Sequence, residues 1–206
     1  IRHYNLGRHI LLFGHINHPE VVGTMGQVPN EFVSLIETID DAMNIKVKNT
    51  EKLAYATQTT LSLDDTKEIL TVLKKRFPSI KGPNSEDICY ATTNRQQAVK
   101  SMAKLCDTIL VIGAQNSSNS LRLVEVALSH GVKTAQLIPD EYTLDKFLES
   151  FNPSLTPNLG LTAGASAPET LVQVLISKLK KDFEVNLVDH TVTKENVTFN
   201  LPKILR

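Results

Sequence analysis

The sequence lacks several features by which large classes of proteins are recognised. It has no tryptophan and only two cysteines, Cys89 and Cys106, so a disulfide framework is not indicated and a reducing compartment is favoured. Lysine plus arginine equals aspartate plus glutamate at 22 each, which leaves no net positive charge to attract nucleic acid or an anionic membrane. No apolar run is long enough to cross a bilayer. We therefore predict a cytoplasmic protein with no nucleic-acid partner and no membrane partner.

The phosphate-binding signatures of nucleotide-binding folds are also missing. No Gly-x-Gly-x-x-Gly follows a predicted strand, and no Walker-type Gly-Lys-Ser/Thr occurs. A doubly wound nucleotide-binding protein is therefore the weakest of the functions that we consider. The sequence is 41% hydrophobic and 21% charged, which is ordinary for an α/β protein.

The most informative stretch lies between residues 109 and 128. Four consecutive apolar residues, 109 to 112, predict a strand that is buried on both faces. Leu121, Val124 and Leu128 have helical spacing and predict the buried face of a helix. The polar run Asn-Ser-Ser-Asn-Ser at 116–120 lies between them, where free N–H groups and the helix dipole favour an anion. Such residues are also ordinary helix caps, but five in succession favour a ligand phosphate.

The pattern of a strand, a polar turn and a helix occurs four times. The strands are predicted at 9–13, 53–56, 109–112 and 159–162. Strands that alternate with helices indicate parallel sheets, with ligands at the carboxyl ends of the strands. We predict an α/β fold of repeated small parallel-sheet domains at 1–84 and 85–182, followed by a C-terminal tail at 183–206 with a strand at 197–201. The four polar turns are predicted to line one cleft at the interface.

Helix starts and buried faces can also be predicted locally. Capping-box spacing occurs three times, and three apolar stripes have helical spacing, with Cys106 on the second stripe. The capping pairs are Ser62 with Asp65, Thr93 with Gln96, and Ser166 with Glu169. The stripes are Ile69, Val72, Leu73 and Phe77; Val99, Met102, Ala103 and Cys106; and Leu171, Val174, Leu175 and Leu179.

Several polar residues have both a structural and a chemical interpretation. His15 and His18 have a spacing that metal ligands can share, but on a turn it is unspecific. His18 is able to donate to a phosphate and Glu20 to deliver a proton, while Glu20 is equally well explained as a charge at a helix start. Thr59 fits a β-strand, and Cys89 is either a small buried hydrophobe or a thiolate favoured by a helix start. The residues alone indicate an α/β anion-binding protein with one notable thiol.

Five segments in this order closely resemble the 4-hydroxy-3-methylbut-2-enyl diphosphate reductase family: GHINHPEVVGTMGQ, YATQTTLSLDDT, DICYATTNRQQAV, NSSNSLRLVE and LTAGASAPETLV. The resemblance covers nearly all of residues 9–180. It implies a bacterial, cytoplasmic iron–sulfur oxidoreductase of isoprene biosynthesis, the last enzyme of the methylerythritol phosphate route. Such an enzyme holds a 4Fe–4S cluster through three cysteines. It removes the hydroxyl of an allylic diphosphate with two electrons, supplied by a donor such as ferredoxin or flavodoxin, to give isopentenyl and dimethylallyl diphosphate.

The resemblance also implies a role for individual residues. Cys89 in DICYA corresponds to a metal ligand of the cluster. His18 and Glu20 in HPE correspond to a diphosphate-contacting histidine and to the acid that serves proton delivery. Thr59 in TQTT corresponds to the threonine beside the substrate hydroxyl. The diphosphate cradle corresponds to Ser117, Ser118, Asn119 and Ser166.

The sequence departs from the family in one large respect. The family's other two cluster cysteines and two substrate-contacting histidines belong to an N-terminal domain, and its GFCAG-like and TCP-like segments do not occur here. Cys106 is predicted to be buried and cannot replace a ligand, so the cluster ligand set is incomplete. We expect a piece of a longer enzyme that comprises two of the family's three domains, is inactive alone and exposes apolar surface. The alternative is a non-catalytic module that binds phosphate or diphosphate.

Overall fold

The computed structural model describes residues 1–83, 87–198 and 201–205. Two three-stranded parallel sheets, each packed against helices, contain all the strands of the described residues. The first sheet with its helices, here called the first unit, comprises α1 (Arg2–Asn5), β1 (His9–Phe13), α2 (Pro19–Met25), β2 (Val33–Ile36), α3 (Ile39–Asn44), β3 (Leu53–Thr57) and α4 (Leu63–Arg76). Short 3₁₀ turns lie at Asn30–Phe32 and Lys203–Leu205. The predicted α/β class with small parallel sheets is confirmed.

The second sheet with its helices is the second unit. It comprises α5 (Tyr90–Met102), β4 (Thr108–Ile112), α6 (Ser118–Ser129), β5 (Thr134–Ile138), α7 (Glu141–Ser150), β6 (Leu159–Ala163) and α8 (Glu169–Asp182). Its strand order, β5-β4-β6, corresponds to the order β2-β1-β3 of the first unit. In both units the strand that comes first in the chain lies in the middle. The polypeptide therefore follows the same path in both units.

The equivalence of the two units extends to single hydrogen bonds at the carboxyl ends of the strands. The Gln58 N–H donates to the Phe13 carbonyl at 2.8 Å, and the Gly164 N–H donates to the Ile112 carbonyl at 2.8 Å. The Gly14 and Gly113 N–H groups each donate at 3.2 Å to the last residue of a neighbouring strand. Both central strands thus leave their sheets in the same way, which places the polar turns at equivalent positions.

The core of the second unit confirms one prediction and corrects another. All five residues of β4 are buried, as predicted for a strand covered on both faces. The predicted stripe of α6 is wrong, because Leu121 and Leu128 are 43% and 47% exposed and Val124 is only partly buried. The buried face consists instead of Asn119, Ser120, Leu123, Val126 and Ala127. The small side chains of Ser120 and Ala127 let the helix approach the sheet closely. The prediction considered only apolar residues and therefore missed a buried face that is partly polar.

Two of the three predicted capping pairs are wrong. Ser62 does cap α4, since its hydroxyl accepts from the Asp65 N–H at 3.2 Å. The helix predicted to start near Thr93 begins three residues earlier, with Cys89 at its N-cap. The last helix has Pro168 at its N-cap and no side-chain cap, so Ser166 does not cap it. The spacing of Thr or Ser three residues before Gln or Glu is therefore not specific for an N-cap. In α5 it lies within a helix that has already begun, and in α8 the N-cap is a proline.

The remaining helix predictions are largely confirmed. Ile69, Leu73 and Phe77 are buried beneath α4, Val99 and Met102 are buried beneath α5, and Leu175 and Leu179 are buried beneath α8. Cys106 is partly buried against the same core as Val99. No helix in the described parts of the chain is long and apolar enough to cross a membrane.

The tail leaves α8 and continues along the second unit. Phe183 and Val185 pack against the core of that unit, and residues 184–198 form no helix or strand. The Asn94 amide donates to Glu195 at 3.0 Å, and the His190 ring contacts the Ser101 hydroxyl at 2.9 Å, both on α5. The strand predicted at 197–201 includes residues 199 and 200, which lie outside the described residues, and residues 197 and 198 are not in a strand. The domain limits near residue 84, also outside them, stay a prediction.

Candidate functional site

The first polar turn joins β1 to α2 and places Glu20 in the first turn of that helix. A Cβ on Gly14 would lie 2.4 Å from a methyl of Val21, so only glycine fits where the turn packs against the helix. His18 is the N-cap residue, and its Nδ1 accepts from the Glu20 N–H at 3.2 Å. Pro19 follows at the first helical position, where its missing N–H has no consequence. The HPE sequence therefore fixes the start of this helix.

The Glu20 carboxylate reaches across to the turn after β3. Its Oε1 accepts from the Thr59 N–H at 2.9 Å, and its Oε2 accepts from the Thr59 hydroxyl at 3.0 Å. Both oxygens thus contact one residue that is 39 positions away in the chain. Glu20 is therefore more than a charge facing its own helix dipole, since it joins two of the polar turns.

Cys89 lies on the other side of the same threonine. Its backbone N–H donates to the Thr59 carbonyl at 3.1 Å, and its exposed thiol stands at the N-cap of α5. Two residues earlier, the Asp87 carboxylate accepts from the Thr57 N–H at 3.0 Å, and its burial raises the pKa of Asp87 above the ordinary value. Glu20, Thr59 and Cys89 are therefore neighbours, although they come from three separate segments.

Hydroxyl groups connect the first unit to the second. The Thr60 and Ser118 hydroxyl oxygens lie 2.8 Å apart, and the Gln58 amide nitrogen lies 3.4 Å from the Ser118 oxygen. Gln58 is only 1% exposed, whereas Thr60 and Ser118 are partly exposed. The polar run that starts α6 thus lies directly against the TQTT turn, as the predicted convergence of the turns requires.

Within the second unit, two turns approach each other around Ser120. The Ser117 hydroxyl caps α6 by accepting from the Ser120 N–H at 3.3 Å, and it contacts the Ser120 hydroxyl at 3.0 Å. A Cβ on Gly113 or on Gly164 would lie 2.1 Å from the Ser120 oxygen. Both glycines are therefore required sterically, and their turns come together over a fully buried serine.

Asn119 has a buried amide that the protein does not satisfy. It is 7% exposed, and neither its oxygen nor its nitrogen has a hydrogen-bond partner among the described residues. Its nitrogen would lie 3.7 Å from a Cβ on Gly164, so the amide borders the turn that carries Ser166. Buried amides are almost always paired, so the Asn119 amide requires a partner from outside the protein, and a water, an ion or a polar ligand can each supply it.

The other candidates have less complete surroundings. Ser166 is exposed, two residues beyond Gly164, and within the described residues it has no hydrogen bond to the other candidates. The ring of His15 contacts Arg122 of α6 at 2.7 Å, so it does not pair with His18 around a shared ion. The described residues contain no group of three or more histidine, cysteine, aspartate or glutamate side chains placed to hold a metal.

Sequence reasoning overlooks several residues that hold the turns together. Gln58 and Thr60 are visible there only as part of a polar string, and Gln96 only as half of a capping pair. Gln96 is fully buried in α5, and its amide accepts from the Leu63 N–H at 3.0 Å and donates to the Leu61 carbonyl at 2.8 Å. The only available signal is position: Gln58 follows its strand where Gly164 follows the equivalent strand of the second unit.

Two charged residues near the turns are overlooked in the same way. The side chain of Arg122 is 14% exposed and lies 2.5 Å from Glu125 and 3.5 Å from Asp65 of the first unit. The Arg95 Nε–H donates to the Ala163 carbonyl at 3.1 Å, next to the turn that contains Gly164. Arg95 therefore puts a positive charge beside the turn that the unsatisfied Asn119 amide borders.

The two cysteines differ in their fitness as ligands of an iron–sulfur cluster. Cys89 is exposed beside Thr59 and Glu20 and suits one corner of a cluster. Cys106 packs beside Gly160, where a Cβ would lie 3.1 Å from its sulfur, and burial raises the pKa of its thiol. The described residues thus offer one exposed cysteine and do not fit a complete 4Fe–4S cluster by themselves.

Comparison with known proteins shows the family of this chain. Residues 1–180 match the family described as LytB protein. This chain belongs to the LytB family. It is 52% identical over 204 residues to the 4-hydroxy-3-methylbut-2-enyl diphosphate reductase of Hyphomonas neptunium, covering 99% of this chain and 64% of that relative. It is 51% identical over 205 residues to the reductase of the same name from Phenylobacterium zucineum, of which it covers 63%.

A solved LytB structure has the same fold. The E-1-hydroxy-2-methyl-but-2-enyl-4-diphosphate reductase of Plasmodium falciparum superimposes with a TM-score of 0.88 at 34% sequence identity. The match covers 98% of this chain and 62% of the Plasmodium chain. The chain therefore spans less than two thirds of the length of the LytB relatives described here.

Proposed function

We propose that this chain supplies the substrate-binding and proton-delivering part of a 4-hydroxy-3-methylbut-2-enyl diphosphate reductase. The reaction is the reductive removal of the substrate hydroxyl to give isopentenyl and dimethylallyl diphosphate. The observation that carries the proposal is that Thr59 hydrogen-bonds both to the Glu20 carboxylate and, through its backbone carbonyl, to the Cys89 N–H. These bonds bring together the three segments that carry an acid, a hydroxyl and an exposed cysteine. The names of the LytB relatives support the substrate.

In this proposal Glu20 and Thr59 deliver the proton. The Thr59 hydroxyl donates to Glu20, so it has a free lone-pair side from which it contacts the substrate hydroxyl. When Glu20 is protonated, this hydrogen bond reverses: Glu20 donates to the Thr59 oxygen, and Thr59 passes its own proton to the leaving oxygen, which departs as water. The two electrons stay on the allylic group, which takes up a second proton from solvent to give the products. Their mutual hydrogen bonds hold both groups in position before the substrate binds.

The diphosphate is proposed to lie over the start of α6. Ser117, Ser118 and the orphaned Asn119 amide provide donors there, and the helix N-terminus provides a positive field. We assign Ser166 of the facing turn and His18 of the first unit to the same diphosphate. Asn119 is the strongest single indication, because a bound phosphate oxygen would satisfy its buried N–H group.

The proposal needs a 4Fe–4S cluster to supply the two electrons, and Cys89 is the residue of this chain that would hold it. Because the described residues offer one exposed cysteine, we place the other cysteine ligands outside this chain, together with further histidines that contact the substrate. Ferredoxin or flavodoxin is the proposed electron donor, and the bacterial cytoplasm the proposed location. We further propose that the 206 residues alone are inactive.

The two cysteines provide a matched test. After anaerobic reconstitution with iron and sulfide, a longer protein that carries this chain together with the family's N-terminal domain should show iron–sulfur absorbance and reduce the substrate. Cys89→Ser should abolish both, and Cys106→Ser should leave both within about twofold, because Cys106 packs in the core of the second unit. Full activity of the Cys89→Ser protein, or of the isolated chain, would contradict the proposal.

A second candidate function is a non-catalytic diphosphate-binding module. It is favoured by the fact that four of the proposed diphosphate contacts belong to the second unit, whereas most of the proposed cluster ligands lie outside this chain. These four contacts are Ser117, Ser118, Asn119 and Ser166. It predicts that the isolated chain binds inorganic pyrophosphate, measured by titration calorimetry, and that Cys89→Ser does not change the affinity. Absence of pyrophosphate binding would contradict it.

A further inference from the structure

We infer that Gln58, acting through Thr60, is a positioning residue that leaves the hydroxyl proton of Ser118 free to donate to a bound phosphate. The inference rests on the proposed function, because it takes Ser118 as part of the diphosphate cradle. It concerns the direction of hydrogen bonds, which the positions of the heavy atoms and the chemistry of the groups determine together. It gives the buried glutamine of the first unit a role in ligand recognition by the second.

The direction of the network begins at a backbone group that cannot be reversed. The His15 N–H is only a donor, and it lies 3.0 Å from Oε1 of Gln58. The Gln58 oxygen must therefore face His15, since the amide nitrogen would place two donors against each other. The amide nitrogen consequently faces the other way, toward Thr60 and Ser118.

The Gln58 amide nitrogen and the two hydroxyl oxygens form a triangle. The nitrogen lies 2.9 Å from the Thr60 oxygen and 3.4 Å from the Ser118 oxygen, and the two oxygens lie 2.8 Å apart. The nitrogen donates and has no acceptor capacity, so neither hydroxyl proton can point toward it. One hydroxyl proton makes the bond between the two oxygens, and the other has to leave the triangle.

Ser118 is better placed than Thr60 to direct its proton outward. It is the first residue of α6, next to the orphaned amide of Asn119 and to the cap residue Ser117. An anion at this helix start attracts the Ser118 proton, while the Thr60 proton closes the 2.8 Å bond. The resulting series of donors runs from His15 to Gln58, from Gln58 to Thr60, from Thr60 to Ser118 and from Ser118 to the ligand.

Gln58→Glu reverses this direction without changing the shape of the side chain. A carboxylate accepts from both hydroxyl groups, so the Ser118 proton is drawn inward and lost to the ligand. We expect the Kd of the isolated chain for inorganic pyrophosphate to rise by about tenfold or more, as for loss of a hydrogen bond to a charged group. Ser118→Ala should have an effect of similar size, since it removes the same donor.

A double-mutant cycle separates this effect from simple charge repulsion. The negative charge that Gln58→Glu introduces repels pyrophosphate equally with or without the Ser118 hydroxyl, so that contribution cancels in the cycle. If Gln58 acts through Ser118, Gln58→Glu should weaken binding at least about threefold less in the Ser118→Ala background. Gln58→Met repeats the cycle without a charge if the Gln58→Glu protein does not fold by circular dichroism, and its coupling should have the same sign.

Gln96→Glu is the matched control. It makes the same chemical change in an equally buried glutamine that contacts the same loop but neither hydroxyl. Its effect on the Kd should be additive with that of Ser118→Ala. If the wild-type chain binds pyrophosphate and the effects of Gln58→Glu and Ser118→Ala are also additive, the inference is wrong, but the proposed cradle is not contradicted. No pyrophosphate binding by the wild-type chain would overturn both.

Discussion

The two units have the same topology, yet equivalent positions in their turns carry different residues, a glutamine in the first unit and a glycine in the second. In the first unit, the space between the turns after β1 and β3 holds the side chain of Gln58, which is fully hydrogen-bonded. In the second unit the position equivalent to Gln58 is Gly164, and the neighbouring amide of Asn119 has no partner among the described residues. In the first unit an amide of the protein thus occupies this space, whereas the equivalent position of the second unit borders the proposed anion cradle.

The sequence difference behind this contrast is small. Gly14 and Gly113 each stand four residues before the N-cap of the following helix, and seven residues before a side chain that packs against them, Val21 or Ser120. A valine in the first unit makes that contact apolar, whereas a serine in the second keeps it polar. Equivalent turns in the two units therefore differ in the polarity of the side chain that packs against the glycine.

The largest expected effect comes from closing the proposed anion cradle. Gly164→Ala places a Cβ 2.1 Å from the Ser120 oxygen and next to Asn119. We expect it to abolish pyrophosphate binding in titration calorimetry and to lower the free energy of unfolding by about 1–3 kcal/mol, measured by urea denaturation. Gly14→Ala should lower stability similarly, because its Cβ meets Val21, but should retain pyrophosphate binding.

A second substitution tests the steric explanation. Ser120→Ala removes the oxygen and leaves a Cβ 3.3 Å from an alanine Cβ at 164, but only 2.7 Å from one at 113. It should therefore restore much of the stability lost in Gly164→Ala and little of that lost in Gly113→Ala. Equal rescue at the two positions would show that the contact with Ser120 is not the cause.

Replacing the two buried amides, those of Asn119 and Gln58, is expected to change the free energy of unfolding by an intermediate amount, with opposite signs. Asn119→Leu removes two unsatisfied polar atoms and should raise the free energy of unfolding without ligand by about 1–2 kcal/mol, while weakening pyrophosphate binding. Gln58→Leu removes a side-chain amide whose oxygen and nitrogen are both hydrogen-bonded, and it should lower the free energy of unfolding by a similar amount. Urea denaturation of the ligand-free proteins measures both, and the same sign for both variants would refute the contrast.

The smallest effect concerns the charges that lie beside the last strands of the two sheets. Asp87 accepts from Thr57 at the end of β3, whereas Arg95 donates to Ala163 at the end of β6. Burial raises the pKa of Asp87 in the folded protein, so folding favours the protonated acid and stability falls as pH rises from about 4 through the folded pKa. Asp87→Asn should reduce this fall. A Tm measured between about pH 4 and 7 that changes equally in both proteins would contradict this assignment.

Much of this architecture was predictable because it depends on local patterns. A buried run such as 109–112 and a glycine before a polar helix start are visible in the sequence, and they correctly indicated parallel sheets. The face of α6 was not predictable from apolar spacing, since Asn119 and Ser120 are buried there. Their burial depends on Gly113 and Gly164, which belong to two separate turns.

The candidate site was predictable in part for the same reason. The sequence indicated that the turns converge, and the contacts among Glu20, Thr59 and Cys89 agree with that expectation. The roles of those residues stay predictions. The importance of Gln58 and Thr60 was not predictable, because it comes from bonds to His15 and Ser118, which belong to different segments. Long-range polar networks of this kind have no periodic signal.

Helix α5 is hydrogen-bonded to both units at once. Its N-cap donates to Thr59, its buried Gln96 binds Leu61 and Leu63, and its Arg95 binds Ala163. This helix of 13 residues therefore sets the spacing between Cys89 at its N-terminus and the end of β6 beside its second turn, next to the proposed anion cradle. Inserting or deleting one residue between Cys89 and Arg95 would rotate Cys89 by about 100° around the helix axis relative to Arg95 and Gln96. The length of this helix is therefore as constrained as the identity of its residues.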